Sequence, residues 1–196
     1  MIRRRKKLFL MLGLLLTASS LWFVWPRPEV IYQGKPMSEW LRELETDSIR
    51  AKSEAVDTLL HADPMVVPAL LDGLHKSNSR LYRGAWPHLP VFLQRRLTPP
   101  TDYTLLHHRC ALILGYVKPA SPKVVRELRR ALMTDDDTLT TFAAQGLRMI
   151  AERDAGTTPQ LRRALPDLRR LLGTRKDKGE QVARAVAIIE RRGLYP

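Results

Sequence analysis

The residues able to do chemistry are few, and they sit in short stretches. His107, His108 and Cys110 form the one cluster of metal-ligand types. His107 and Cys110 are three residues apart, so on a helix they share a face and could chelate a soft metal. Two ligands do not complete a site, and His61, His75 and His88 are not spaced to supply the rest. Cys110 fits equally well into an apolar stripe with Leu106 and Leu114, the histidines flanking it. Asp135, Asp136 and Asp137 are three carboxylates in a row. A calcium loop alternates oxygen ligands around a glycine, a pattern missing here, whereas a helix start takes acidic residues as caps and dipole partners. Capping is the expected role. The sequence has no glycine-rich phosphate loop, no G-x-S-x-G nucleophile elbow, no H-E-x-x-H and no His-Glu dipeptide. No catalytic, cofactor-binding or metal-binding residue is therefore assigned, and a non-enzyme is expected.

Binding chemistry is better represented. Tyr82, Trp86 and Phe92 are set among Arg80, Arg83, Arg95 and Arg96. Aromatic and arginine side chains are the types enriched in binding hot spots, so these seven are the candidate partner-binding residues. The competing reading is that Trp86 and Phe92 fill a distorted core. Two further arginine groups, Arg126, Arg129 and Arg130, then Arg162, Arg163, Arg169 and Arg170, form a basic stripe or simply a solvated face.

Net charge is +13, but five positives lie in the run Arg3 to Lys7. The rest of the chain carries 28 Lys and Arg against 20 Asp and Glu, a surplus of 8. Such a surplus favours acidic partners and says nothing about fold. The single cysteine excludes an intramolecular disulfide and a zinc site built of cysteines alone.

The elements that must position these residues begin with an apolar segment. Residues 8–25 carry no charge, and eighteen residues of helix span about 27 Å, near the hydrocarbon thickness of a bilayer. The basic run 1–7 precedes it, and Trp22 and Trp25 stand at its far end. This is the pattern of a single-pass anchor with a cytoplasmic N-terminus and everything after Pro26 exported. Cleavage as a signal peptide, at Thr17 to Ser20, is the alternative. Leu21 to Trp25 carry the apolar run onward, as an uncleaved anchor would.

After a linker at 26–37, apolar residues recur at helical spacing. Asp63-Pro64, Ser121-Pro122 and Thr158-Pro159 each read as an N-cap followed by proline at the first helical position. The helices they open superimpose. Val67, Leu70 and Leu74 match Val125, Leu128 and Leu132, and both match Leu165, Leu168 and Leu172, at offsets of 58 and 40 residues. The frame extends to the following helix, where Phe142, Ala143, Gly146 and Leu147 match Val182, Ala183, Val186 and Ala187. Helix pairs repeating at a period near 40 residues mark a solenoid. The pairs predicted are 38–45 with 48–61, 64–75 with 79–117, 122–133 with 137–151, and 158–173 with 177–192. Trp40 and Leu44 close the first end, and Arg191, Arg192 and Gly193 cap the last. Between Leu74 and Tyr103 the frame is stretched by roughly 20 residues against a period near 40. This irregular segment, 79–100, contains Pro87, Pro90, Pro99 and Pro100, which predict a broken helix near 79–97 before a straight one over 102–117.

Pro-x-Leu-x-x-x-Leu on a first helix, an acidic turn such as Asp135 to Asp137, and an Ala/Leu-rich second helix together resemble the HEAT repeat. Arg109 to Val117 is similar to the end of a second helix in the subgroup also found in phycobilisome lyases. Tyr32 to Leu41 resembles the start of membrane-anchored bacterial HEAT proteins. The resemblance covers 38–192. It implies an all-α chain, a right-handed α-solenoid of about four helix pairs after one transmembrane helix. The function it implies is an exported scaffold that binds protein and needs no cofactor. Two rivals stand beside it. One is polyanion or anionic-surface binding through the basic faces, although nucleic acid is set aside because an exported domain meets no genome. The other is a lyase, by fold analogy alone. The His-Glu pairs of HEAT proteins with a di-iron hydroxylase site are absent.

Overall fold

The computed structural model describes residues 29–46, 48–154, 158–174 and 179–194. The anchor expected at 8–25, its basic run and its alternative cleavage site all lie outside them. No helix among the described residues is long and apolar enough to cross a membrane. Among the described residues the chain is all-α apart from one small hairpin.

That hairpin occupies the stretch expected as a linker. Ile31–Tyr32 (β1) and Lys35–Pro36 (β2) pair antiparallel, with Tyr32 opposite Lys35. A two-residue loop of this kind needs positive φ at both positions, and Gln33 (50°) and Gly34 (76°) supply it. The hairpin is fastened to the first helix, Met37–Glu45 (α1). The Met37 amide donates to the Val30 carbonyl at 2.9 Å, and Trp40 Nε1 donates to the Tyr32 carbonyl at 3.0 Å. Lys35 Nζ lies 3.9 Å above the Trp40 ring and 2.7 Å from Glu43 Oε1. Met37, Trp40 and Leu44 are buried on one face of α1, so Trp40 and Leu44 do close this end of the core.

Ile49–Leu60 (α2) follows, and then Val67–His75 (α3), entered through a 3-10 turn at Pro64–Val66. Asp63 precedes that turn but its side chain caps nothing. The predicted broken helix consists of Arg80–Ala85 (α4), a 3-10 turn at Trp86–His88, and Val91–Gln94 (α5). Thr104–Tyr116 (α6) is continuous, as the sequence predicts. Pro122–Ala131 (α7) begins where the Ser121 hydroxyl accepts from the Val124 amide at 3.3 Å. Asp137–Arg153 (α8) begins at Asp136, whose carboxylate accepts from the Thr138 and Leu139 amides, both at 2.9 Å.

The helix expected over 158–173 is two helices, Thr158–Arg162 (α9) and Leu165–Thr174 (α10). Pro166 has no N–H to continue the α ladder, and the chain tightens instead, with the Ala164 amide bonding the Leu161 carbonyl at 2.9 Å. Gly179–Leu194 (α11) ends the described chain.

The long helices pack as α1 on α2, α3 on α6, α6 on α8, α8 on α7 and α11, and α10 on α11, and the most extensive packing, α6 on α8 and α8 on α11, joins helices that are not consecutive. The first-helix register is kept. Val67, Leu70, Leu74, Val125, Leu128, Leu132 and Leu168 are buried, and Leu165 and Leu172 are partly so. The second-helix register needs correction, because Ala183 and Ala187 are exposed. The buried set is Val182, Ala185, Val186 and Ile189, which answers Ala143, Gly146, Leu147 and Ile150 at an offset of 39. The last pair is therefore one residue shorter between its two helices than the pair before it. Gly115 and Gly146 meet where α6 crosses α8, and a β-carbon on Gly115 would run into the Gly146 backbone.

Candidate functional site

The irregular segment 79–100 places the seven candidate residues outside the core. Asn78 Nδ2 donates to the Thr101 carbonyl at 2.5 Å, so the chain leaves the helical layer and returns to it at nearly one point. Between these residues the segment is held by its own bonds. The Ser79 hydroxyl caps α4 by accepting from the Tyr82 amide at 3.2 Å. Pro87 and Pro90 stop each helical run after about one turn. The Gln94 side-chain amide then closes the bend, donating to the carbonyls of Trp86 (3.0 Å) and Leu89 (2.9 Å). The Tyr82 hydroxyl donates to the Thr98 carbonyl, and the Tyr82 and Trp86 rings meet edge to face at 5.7 Å.

No residue from Arg80 to Leu97 is buried. Leu81 is 86% exposed, Phe92 64%, Val91 63% and Leu97 43%. Of the seven residues, Tyr82 and Trp86 touch each other and are half-buried, Phe92 projects into solvent, and all four arginines are exposed. The reading in which Phe92 and Trp86 fill the core does not hold, since the segment makes no inward contact that would bury them. Leu81, Val91 and Leu97 belong to this surface as well, beyond the seven aromatic and arginine candidates. A signal for it exists in the sequence: no Asp or Glu occurs between Asp72 and Asp102.

At the root of the excursion is an open cavity of about 320 Å³, lined by Lys76, Asn78, Arg83, Asp102 and His107 among others. It is not a uniformly basic pocket. Lys76 pairs with Glu45 at 2.5 Å. Asp102 is held below the usual carboxylate range by the Thr104 hydroxyl and amide, helped by His107 and Arg83. A second cavity, about 480 Å³, lies against Val117, Pro119 and Arg153. There Arg153 bonds the carbonyls of Gly115, Tyr116 (3.1 Å) and Met149 (2.9 Å), which makes it a cap for the end of α6.

The His/Cys cluster does not converge. His107 Nε2 lies 2.7 Å from the Lys76 carbonyl and His108 Nε2 lies 2.7 Å from Asp136 Oδ2. Cys110 is fully buried, and burial pushes its thiol pKa far up, away from the reactive thiolate. Of the three aspartates, Asp136 is the cap. Burial pushes its carboxyl up, but the Leu139 and Thr138 amides and His108 more than offset that and hold it low.

Most arginines of the two helix faces, including Arg126, Arg129, Arg130 and Arg169, bond within the fold. Arg129 reaches Asp167 across α7 and α10 at 2.5 Å, and Arg169 reaches Glu190 across α10 and α11 at 2.6 Å. Arg126 and Arg130 bracket Glu127, a nearly buried carboxylate that His75 also approaches at 3.2 Å. Burial raises the Glu127 pKa, yet Arg130, His75 and Arg126 bring it below its ordinary value. Those helix faces are therefore stitched to neighbouring carboxylates. By contrast, among the described residues Arg80, Arg95 and Arg96 have no acidic partner. Compared with protein-family models, with characterised proteins and with solved structures, the chain matches none.

Proposed function

We propose that this protein is a non-catalytic scaffold of HEAT-type helix pairs, stacked as a right-handed solenoid, held at a membrane by residues 8–25 and exported beyond it. Its role on this reading is to bind another protein. The observation that carries the proposal is the packing of α6 on α8 and of α8 on α11, among helices whose apolar register repeats from Val67 to Val125 to Leu165. Packing of that kind leaves long outer faces free for partners. The excursion at Arg80 to Arg96 is the place where the stack presents side chains that stacking does not use.

A protein partner at the excursion is the first reading. A second, contact with an anionic surface, is favoured by the four projecting apolar side chains among unpaired arginines. On the helix faces, by contrast, Arg126, Arg129, Arg130 and Arg169 are already paired with carboxylates.

Topology and partner are tested together. A reporter active only outside the cytoplasm, fused after Pro196, should give signal, and an active cytoplasmic reporter at that site instead would reverse the orientation. Crosslinking in intact membranes should capture a protein reproducibly on the folded chain. Capture of nothing but lipid would remove the scaffold role.

A further inference from the structure

Four large exposed apolar side chains, Leu81, Val91, Phe92 and Leu97, fall within one short stretch of chain. Leu81 is on α4, Val91 and Phe92 are on α5 beyond Pro87 and Pro90, and Leu97 follows the end of α5, so the four do not lie along one helix face. A cavity beside them is lined by Lys76, Asn78, Asp102 and other polar groups. A folded protein covers apolar side chains with a complementary patch or groove. A medium that flows around each side chain separately needs no such match, and the headgroup–acyl boundary of a bilayer is one.

The charge points the same way. Arg80, Arg83, Arg95 and Arg96 are exposed, and no carboxylate lies in sequence between Asp72 and Asp102. Arginine keeps its stem on apolar surface while its guanidinium forks onto phosphate oxygens. Each basic residue near an anionic leaflet raises partitioning by roughly fivefold, so four of them matter even beside modest apolar burial.

We propose that residues 80–97 seat on an anionic bilayer surface, Leu81, Val91, Phe92 and Leu97 entering the headgroup–acyl boundary and the four arginines holding lipid phosphates. The inference rests on the reading that residues 8–25 anchor the chain, because a tether makes the contact intramolecular and raises its effective concentration. The bonds from Gln94 to Trp86 and Leu89 pre-form the segment, so little ordering is needed on contact. Protein partners are then left with the helical layer.

The test uses the full chain in vesicles of phosphatidylcholine, with and without phosphatidylglycerol. An environment-sensitive fluorophore is placed on Phe92→Cys, and on Met133→Cys as a control on the helical body; Cys110 is buried and does not react. Flotation with the vesicles reports the anchor, and quenching by brominated acyl chains against aqueous iodide reports depth. The expected result is flotation in both mixtures, with lipid quenching at position 92 only when phosphatidylglycerol is present and iodide access there several-fold below that at position 133. Changing Arg80, Arg83, Arg95 and Arg96 together to Gln should abolish lipid quenching, with flotation and helical circular dichroism unchanged. A chain that floats while position 92 stays as open to iodide as position 133 overturns the bilayer contact and returns the excursion to a protein partner. A chain that does not float overturns the anchor, and the bilayer contact with it.

Discussion

A β-carbon on Gly115 would stand 2.3 Å from the α-carbon of Gly146. Helices α6 and α8 therefore touch backbone to backbone at this crossing. Gly115→Ala must push the two helices apart, and forcing a methyl into a packed core costs about 1–3 kcal/mol. Gly84→Ala meets nothing within 4 Å and should cost no stability. Urea unfolding of the two variants checks the contrast; equal midpoints would mean that the crossing is looser than this.

Asp136 gives a pH dependence with a definite sign. Its folded pKa lies below its ordinary value of 3.8, because the Leu139 and Thr138 amides and His108 outweigh the effect of burial. A depressed carboxyl contributes stability in full above its unfolded pKa and loses it as pH falls through the folded one. Stability should therefore drop on acidification below about pH 4. Asp136→Asn keeps a capping side chain but carries no charge, so it should flatten that part of the profile. Denaturant midpoints across the acid range measure it.

Trp86→Ala should be mild. The ring is half-buried, and its edge-to-face contact with Tyr82 is worth about 0.5–1.5 kcal/mol. Leu128→Ala, at a fully buried site, should cost about 2–5 kcal/mol. Thermal denaturation ranks them. A Trp86 variant as damaged as the Leu128 variant would place the indole in the core after all.

Trp40→Phe removes the Nε1 bond to the Tyr32 carbonyl and keeps most of the ring's packing. A lost hydrogen bond of this kind costs about 1 kcal/mol. The loss should be local, showing as faster hydrogen exchange at the Met37 amide, which bonds Val30 in the same hairpin. Unchanged exchange there would separate the hairpin from α1.

The sequence made the helices legible because burial on one face imposes a periodicity that repeats from pair to pair. Val67, Leu70 and Leu74 could be laid over Val125, Leu128 and Leu132 without any structure. The hairpin was not legible, since two-residue strands carry no alternation and glutamine is not a residue type that signals the positive φ found at Gln33. The frame slipped by one at Ala183 because alanine is compatible with either a buried or an exposed helix face. The break before Pro166 was readable in principle, but apolar spacing through 158–173 hid it. At the candidate site the arginines and aromatics could be found by type. Whether they faced the core or solvent depended on contacts that no local pattern encodes.

The bond from Asn78 to Thr101 has a consequence for how this chain can vary. The backbone departs and returns at a single port in the helical layer, with 22 residues between the two ends. Loop closure depends only weakly on length, each doubling costing about 0.6 kcal/mol. Sequence of another length or chemistry could be grafted between those two residues while the register on either side stays intact. The domain thus carries an exchangeable cassette, and divergence among related chains should concentrate there before it touches Leu70 or Leu114.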